Sequence, residues 1–294
     1  MQTPNIPPQT ARDIPVCVAR ALDEDVGAGD ITAMLLPITQ QARAQIITRQ
    51  AAVICGQAWV EEVFKQLSAN ITIHWRVKEG EQVVPDQLLA SLSGNARALL
   101  TGERTALNFL QTLSGTATCA KRFADKVQGR DLRILDTRKT IPGLRLAQKY
   151  AVTVGGCKNH RMGLHDAFLI KENHIQACGG IAAAITQARH LRADTPVQIE
   201  VETLDELLQA LTAGADAVML DNFSSDALQA VNELPIGTTR VEISGNLTED
   251  DIHRLKDCGV HYLSSGSLTK HVEAIDLSMR ILDLSLKERP LNNE

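Results

Sequence analysis

Beyond residue 130 the chain settles into short apolar runs separated by stretches with helical spacing. The runs are LRILDTRKT, HDAFLIKEN, PVQIEVET, ADAVMLDNF, TRVEISGN and VHYLSSGS, starting near 132, 165, 196, 215, 239 and 260. That spacing is the length of a strand plus a crossover helix. Between the runs lie helix signals. Thr203 with Glu206 forms a capping-box pattern before LLQALTAG, Thr248 opens EDDIHRLKDCG, and Gly214 and Gly259 stand where helices end. Strand–helix alternation predicts parallel strands joined by right-handed crossovers. The expected architecture is an α/β barrel of about six parallel strands, with a doubly wound open sheet as the lesser alternative.

The first 115 residues have another texture. A helical opening leads to the alternating stretch ARAQIITRQAAVICG, then to ITIHWRVKEGEQVVPDQLLASLSG, whose Gly and Pro mark turns between short strands. ARALLTGERTALNFLQTLSG follows with apolar residues at 99, 100, 107, 110 and 113 in helical register, interrupted by Gly102. The pattern therefore predicts an α/β protein with an N-terminal α+β sandwich-like domain over 1–118, the barrel over 119–274, and a C-terminal helix over 275–294 packing on the first domain.

Each apolar run passes into polar residues at its C-terminal end. The ends carry Asp136, Arg138 and Lys139; Lys171, Glu172 and Asn173; Glu200 and Glu202; Asp221 and Asn222; Glu242, Ser244 and Asn246; and Ser264, Ser265 and Ser267. Any strand leaving a core must meet water, but six such ends in succession point to one shared site, because parallel α/β folds bind ligands at the carboxyl ends of their strands.

Charge sharpens this picture. The chain of 294 residues has 30 Lys plus Arg against 35 Asp plus Glu, net charge −5, and 3% aromatic residues. That balance disfavours general nucleic-acid binding, and aromatic stacking platforms are scarce. Yet residues 136–174 hold seven Lys and Arg against three Asp and Glu. Arg offers a planar fork for carboxylate or phosphate and Lys a point charge, so the cluster points to a small polyanion. Arg145 and Lys149, at helical positions, read as a solvated face with ordinary ion pairs. Arg138, Lys139 and Lys171, at strand ends, read as ligand groups. Of the histidines, His165 and His174 read as structural, and His160, beside Arg161, as ligand-facing. SGN at 244–246 and SSGSL at 264–268 are Ser/Gly turns that can cradle phosphate late in a barrel. Glu200 and Asp221 supply carboxylates able to hold Mg²⁺ on a pyrophosphate or to stabilise a developing cation. The six cysteines show neither zinc spacing nor a CxxC pair, and the N-terminus lacks a signal-peptide pattern, which predicts a cytoplasmic protein with reduced thiols. No window approaches a membrane span.

The strings LDEDVGAGDITA, GERTALNFLQTLSGTAT, DTRKTIPGLRLAQKYAV, GGCKNHRMGLHDAFLIKENHI, EVET, MLDNF and SSGSLTKHVEAIDLS, in this order from about residue 20 to 280, resemble the quinolinate phosphoribosyltransferase family. The resemblance implies condensation of quinolinate with phosphoribosyl pyrophosphate, using Mg²⁺, to give nicotinate mononucleotide, pyrophosphate and CO₂ in NAD biosynthesis. It also implies roles. Arg104, Arg138, Lys139, His160 and Arg161 would hold quinolinate, with Arg104 reaching across a homodimer interface. Lys171, Glu200, Asp221, Ser244, Gly245, Asn246, Ser265, Gly266, Ser267 and Lys270 would hold phosphoribosyl pyrophosphate. Lys139, Glu200 and Asp221 would be the catalytic residues, and Glu200 and Asp221 would face the metal, directly or through water or substrate. The last phosphate turn departs from some relatives in carrying Lys270 where they have His, which leaves pyrophosphate to Lys270 or His271. The chain also lacks the paired-acid and Thr-Gly motif of the common phosphoribosyltransferase fold, as a separate barrel architecture implies. The rival readings are an enzyme acting on another planar carboxylate and a non-catalytic barrel that binds a phosphometabolite.

Overall fold

The computed structural model describes residues 5–245, 247–255 and 258–286. In chain order the elements are α1 (Pro8–Val26), β1 (Gln41–Thr48), β2 (Ala52–Val53), α2 (Gln57–Leu67), β3 (Thr72–Trp75), β4 (Gln82–Val83), β5 (Leu88–Asn95) and α3 (Ala96–Lys126). Then come β6 (Arg133–Leu135), α4 (Arg145–Val154), β7 (Phe168–Ile170), α5 (Glu172–Cys178), α6 (Ile181–Leu191), β8 (Val197–Val201), α7 (Leu204–Thr212) and β9 (Ala217–Asp221). The chain ends with α8 (Ser225–Val231), β10 (Arg240–Gly245), α9 (Glu249–Leu255), β11 (Tyr262–Ser265), α10 (Ser267–Lys270) and β12 (Leu277–Leu286). Two compact units divide it: Met1–Ala120 with Pro142–Gly155 and Val272–Glu294, and Lys121–Ile141 with Gly156–His271.

The first unit is built on an antiparallel sheet of order β12-β1-β5-β3. Along β1 the buried positions are Ala42, Ala44, Ile46 and Thr48, so one face of the strand is apolar at period two. Val18, Leu22, Trp59, Val63, Phe64, Leu107 and Leu110 from α1, α2 and α3 belong to the same core. The other face carries Arg43, Gln45, His74, Arg76, Ser91 and Ser93 around an open polar groove.

The expected C-terminal helix is a strand over Leu277–Leu286, paired antiparallel to β1. Its segment LSMRILDLSL alternates, with Leu277 and Met279 buried and Arg280 and Leu282 exposed, and that period fits a sheet. The rest of the expected helix, 287–294, lies outside the described residues. The boundary also moves, because α4 and the residues from 272 onward belong to the first unit rather than to the barrel. Lys149, expected on a solvated face of α4, is fully buried.

Gly102 does not break α3, which runs unbroken for 31 residues. A Cβ at Gly102 would stand 2.7 Å from Phe64 Cε1 and 2.8 Å from Leu67 Cδ1, so the glycine admits α2 close to α3. Gly115 is tighter still: a Cβ there would lie 2.1 Å from the Glu273 carbonyl oxygen. Close by, the Ile275 N–H donates to the Gln111 carbonyl at 3.1 Å.

The second unit is the α/β barrel. Its sheet has the order β6-β11-β10-β9-β8-β7, and every pairing is parallel. Beyond β6 the chain at Lys158 adds a parallel bridge to Leu135, with the Lys158 N–H donating to the Ile134 carbonyl at 2.8 Å. All six predicted apolar runs are strands of this sheet. Thr203 caps α7 by accepting the Glu206 N–H at 3.2 Å, and Gly214 follows that helix at φ +77°. Gln198 on β8 bonds Glu242 on β10 across the intervening β9, which places both side chains on the concave inner face. The alternate residues Val197, Ile199, Val201, Val241 and Ile243 are buried on the opposite parity.

Helix propensity alone favours Ala over Gly inside α3 by about 1 kcal/mol. The contacts reverse the sign. Gly115→Ala is expected to destabilise the protein by about 1–3 kcal/mol, and by more than Gly102→Ala, whose neighbours are side chains that can rotate. Urea denaturation of both variants checks the order, and a stabilised Gly115→Ala would contradict it.

Candidate functional site

The carboxyl end of β6 sets the first group. Asp136 is fully buried, and its Oδ1 accepts the His160 N–H at 2.9 Å, tying the 158–161 segment to the strand end. Two residues on, Arg138 and Lys139 are exposed. Lys139 is shaped from both sides. Its N–H donates to Thr137 Oγ1 at 3.0 Å, its carbonyl accepts the Thr269 hydroxyl at 2.8 Å, and its Cδ lies 2.8 Å from where a Cβ on Gly266 would stand. Gly266 is thus the floor on which the Lys139 side chain rests.

Arg161 enters from the loop before β7. Its Nη1 donates to the Ala167 carbonyl at 3.1 Å, while Asp166 braces the loop by accepting the Met162 N–H at 2.5 Å. Burial lowers the Arg161 pKa, the nearby Arg138 guanidinium lowers it further, and Asp166 opposes both. Arg138 and Arg161, which line one cavity with Lys171 and His174, thus repel each other. Such repulsion is relieved when an anion with two acceptor groups sits between them.

On the neighbouring strand ends, Lys171 after β7 forms an ion pair with Glu200 of β8. Asp221 ends β9, and its Oδ2 accepts from the Asn222 side-chain amide at 3.0 Å. Asn222 is one of two described non-glycine residues with positive φ, at +55°, a left-handed conformation that Asn tolerates better than most residues. The turn lets the chain leave β9 directly behind Asp221. Glu200 and Asp221 sit at the ends of adjacent strands. Among the described residues no three His, Cys, Asp or Glu side chains gather as a metal site. This donor set fits Mg²⁺ that arrives on substrate phosphates and takes one or two protein carboxylates, rather than a cation held in a protein cage.

At β10 and β11 the Ser/Gly turns divide. Ser244 and Gly245 end β10, and the space about Gly245 is open, with nothing within 4 Å of a Cβ placed there. Ser265 corrects an expectation: it is buried, and its hydroxyl donates to the Leu247 carbonyl at 3.0 Å and meets Ser267 Oγ at 2.6 Å. Its parity turns it away from the inner face, so its hydroxyl fastens two loops together instead of meeting phosphate. Ser267 shares that knot, while Lys270 and His271 are exposed. Asn246 lies outside the described residues.

His160 Nδ1 accepts the Arg161 N–H at 2.7 Å, and its Nε2 lies 3.4 Å from Glu242 Oε2. Glu242 is buried, and Gln198 Nε2 donates to the same oxygen at 2.8 Å. Glu242 was visible in the sequence only as one more polar strand end. Gln198 gave no signal, because a Gln inside an apolar run looks like an ordinary irregularity. His174, read as structural, accepts the Lys171 N–H at 3.1 Å through Nδ1.

Arg104 belongs to the first unit. It is exposed on α3, one turn beyond Thr101 and on the same face as Arg97. Thr101 donates to Asp30 Oδ2 at 2.9 Å and Arg97 Nε to the Leu36 carbonyl at 2.8 Å, so this face carries the 30–36 loop.

Four cations, two carboxylates and an open Ser/Gly turn thus converge on the carboxyl ends of a parallel barrel, which defines a phosphate- and carboxylate-binding α/β-barrel enzyme. Comparison with known proteins makes this specific. Residues 30–114 match the quinolinate phosphoribosyl transferase N-terminal domain and residues 116–280 its C-terminal domain. The chain belongs to the quinolinate phosphoribosyltransferase family. It is 45% identical to the nicotinate-nucleotide pyrophosphorylase from Francisella tularensis, with a TM-score of 0.90 over 95% of this chain and 98% of that one. It is 34% identical to the chloroplastic nicotinate-nucleotide pyrophosphorylase [carboxylating] of Arabidopsis thaliana over 94% of this chain and 84% of the relative. To quinolinate phosphoribosyltransferase [decarboxylating] 1 of Nicotiana glauca it is also 34% identical, with the same coverage.

Position 222 offers a test of the strand-end turn. Asn222→Gly should be near neutral for stability, whereas Asn222→Val, with a β-branched side chain at positive φ, should cost about 1–2 kcal/mol. Chemical denaturation reads both, and a Val variant as stable as the Gly variant would show that the turn relaxes freely.

Proposed function

We propose that this protein transfers the phosphoribosyl group of phosphoribosyl pyrophosphate to quinolinate and releases CO₂ and pyrophosphate, forming nicotinate mononucleotide for NAD biosynthesis. The observation that carries the proposal is that Arg138, a partly buried Arg161 and Lys171 line one cavity, with Lys139 next to Arg138 in the chain, a density of positive charge that matches a planar dicarboxylate. A monocarboxylate would supply this cluster one anionic group fewer.

In this reading Arg138, Lys139 and Arg161 hold the two carboxylates and fix the ring with its nitrogen toward C1′ of the ribose. Lys171, Ser244, Gly245 and Gly266 receive phosphate groups, with Ser267 and Lys270 at the pyrophosphate end. Glu200 and Asp221 face the ribose, where positive charge develops as pyrophosphate leaves, and they stabilise that charge. Mg²⁺, bound with the substrate phosphates near these two carboxylates, would neutralise the departing pyrophosphate. Once the glycosidic bond forms, the pyridinium nitrogen draws electrons from the adjacent carboxylate, and CO₂ departs without a protein base. The protein mainly orients and neutralises.

The proposal includes a homodimer with shared sites. Ile31, Met34, Leu35 and Ile38 are 81%, 63%, 84% and 72% exposed, an apolar cluster that water disfavours and a second copy would cover. The α3 face that holds this loop continues to Arg104, so a copy docked there would meet that guanidinium. The compartment in this proposal is the cytoplasm, in keeping with cysteines that show no framework spacing.

Purified protein given phosphoribosyl pyrophosphate, Mg²⁺ and either acid should convert quinolinate to nicotinate mononucleotide and CO₂, with kcat/KM for quinolinate far above that for nicotinate. Comparable values for the two acids would overturn the dicarboxylate assignment. Lys139→Ala should lower kcat/KM by about 10² or more without unfolding the chain.

Sharing is tested by complementation. Arg104→Ala and Lys139→Ala chains, each inactive alone, should regain up to about a quarter of wild-type activity after subunit exchange, since half the dimers are mixed and half of their sites intact. No recovery despite verified exchange would show that Arg104 does not serve a neighbour's site.

A further inference from the structure

Arg138 and Lys139 stand on backbone that belongs to neither strand nor helix, between the end of β6 and the start of α4. Such a segment has no ladder of backbone hydrogen bonds to set the angle of its side chains, and groups from elsewhere in the fold have to supply the constraint. β6 and β11 are neighbouring parallel strands with Leu135 opposite Ser264, so the segment leaving β6 runs beside the turn leaving β11. Thr269 on that turn is fully buried, and its hydroxyl donates to the Lys139 carbonyl at 2.8 Å across 130 residues of sequence. The turn is itself held. The Thr269 and Lys270 N–H groups donate to the Gly266 carbonyl at 3.2 and 2.9 Å, and the Ser265 hydroxyl fastens the strand end to the Leu247 carbonyl at 3.0 Å. No step of the proposed reaction uses the Thr269 hydroxyl.

We infer that Thr269 is a positioning residue that sets Lys139, an inference that rests on the reading of Lys139 as a substrate-binding cation. The Thr269 hydroxyl holds the Lys139 carbonyl, and Thr137 Oγ1 accepts the Lys139 N–H at 3.0 Å. Gly266 leaves room for the side chain, whose Cδ lies 2.8 Å from where a Cβ on that glycine would stand. With both polar groups of its backbone held, the residue presents its ammonium from a fixed base. Arg138 is the adjacent residue and carries the same charge, so an untied segment would let the two cations spread. The turn that bears Thr269 also bears Gly266, Ser267 and Lys270, which the proposed reaction places at phosphate. One buried hydroxyl therefore keeps a carboxylate-binding cation and a phosphate-binding turn at a set separation, and a ligand spends no binding energy on assembling them.

The test uses the full-length protein, with turnover of quinolinate measured by product formation and mobility of the segment by hydrogen–deuterium exchange of the peptide spanning 137–141. Thr269→Val keeps the shape of the side chain and removes its hydroxyl. It should speed exchange in that peptide about tenfold and lower kcat/KM for quinolinate about tenfold. Thr269→Ser, which returns the hydroxyl, should recover most of both. In a Lys139→Ala background, Thr269→Val should cost little more, since the hydroxyl acts through that ammonium, whereas a merely structural residue would add its full loss. Wild-type kcat/KM in Thr269→Val, equal losses in the Val and Ser variants, or additive losses with Lys139→Ala each overturn the inference. Should Thr269→Val not fold, Thr269→Ala set against Thr269→Ser makes the same comparison. A wild type that does not turn over quinolinate overturns the functional reading instead, and the exchange rates then decide the tie on their own: unchanged exchange on loss of the hydroxyl refutes it.

Discussion

Like charges held together against their repulsion are the constraint around which the barrel's mouth is arranged. Arg138 and Arg161 come from separate segments, one following β6 and one preceding β7, and burial and proximity both act against the Arg161 charge. The fold meets that cost with carboxylates placed beneath and beside the pair. Asp136 anchors the backbone at His160, Asp166 braces the loop after Arg161, and Glu242 Oε2 lies 3.4 Å from His160 Nε2. None of the three needs to reach substrate to matter. A flexible pair of guanidinium groups would drift apart in water and have to be reassembled by each ligand, so rigidity in the empty protein is what makes the pair effective.

The barrel interior also carries polar groups where apolar side chains usually fill the space. Gln198 and Glu242 occupy inward positions that Leu or Val would fill at less cost in desolvation. The hydrogen bond between them, unlike an apolar contact, has direction and ties β8 to β10 across the sheet. Close approach of backbone does related work elsewhere. Gly266 lets Lys139 lie across it, and Gly115 admits the Glu273 carbonyl to within reach of α3, places where one methyl group would displace its neighbour. Asn222 turns the chain behind Asp221 at a φ most side chains resist.

The elements with a strong period were legible in the sequence. All six barrel strands followed from apolar runs at crossover spacing, and the cap of α7 from Thr203 and Glu206, because those signals are local. The misreadings have nonlocal causes. LSMRILDLSL looks helical to a reader expecting a terminal helix, and only its partner β1 makes its alternation meaningful. Gly102 looks like a breaker until Phe64 and Leu67 are seen against it. Lys149 looked solvated, since nothing along the chain announces that α4 packs with its lysine inward. Within the site, residue types showed where charge gathers, so Arg138, Lys139, Arg161, Lys171, Glu200 and Asp221 stood out. Which side of a residue faces the ligand was hidden. Ser265 has the right chemistry in the right string, yet its hydroxyl is turned into a knot with Leu247.

That division between residue type and orientation bears on how the proposed chemistry works. A pyridine nitrogen is already a nucleophile, and the pyridinium it becomes is already an electron sink, so neither bond change calls for a protein base with a tuned pKa. What the reaction lacks in water is a way to bring two polyanions together and hold the ring nitrogen in line with C1′. Coulomb repulsion between the substrates falls when each anionic group meets a cation fixed in advance, and the gain is largest where water is scarce. A site doing this work needs cations at set angles more than it needs acids and bases. The structure has that form: exposed or half-buried Arg and Lys at the mouth, with buried Asp136 behind them holding the backbone that leads to Arg161.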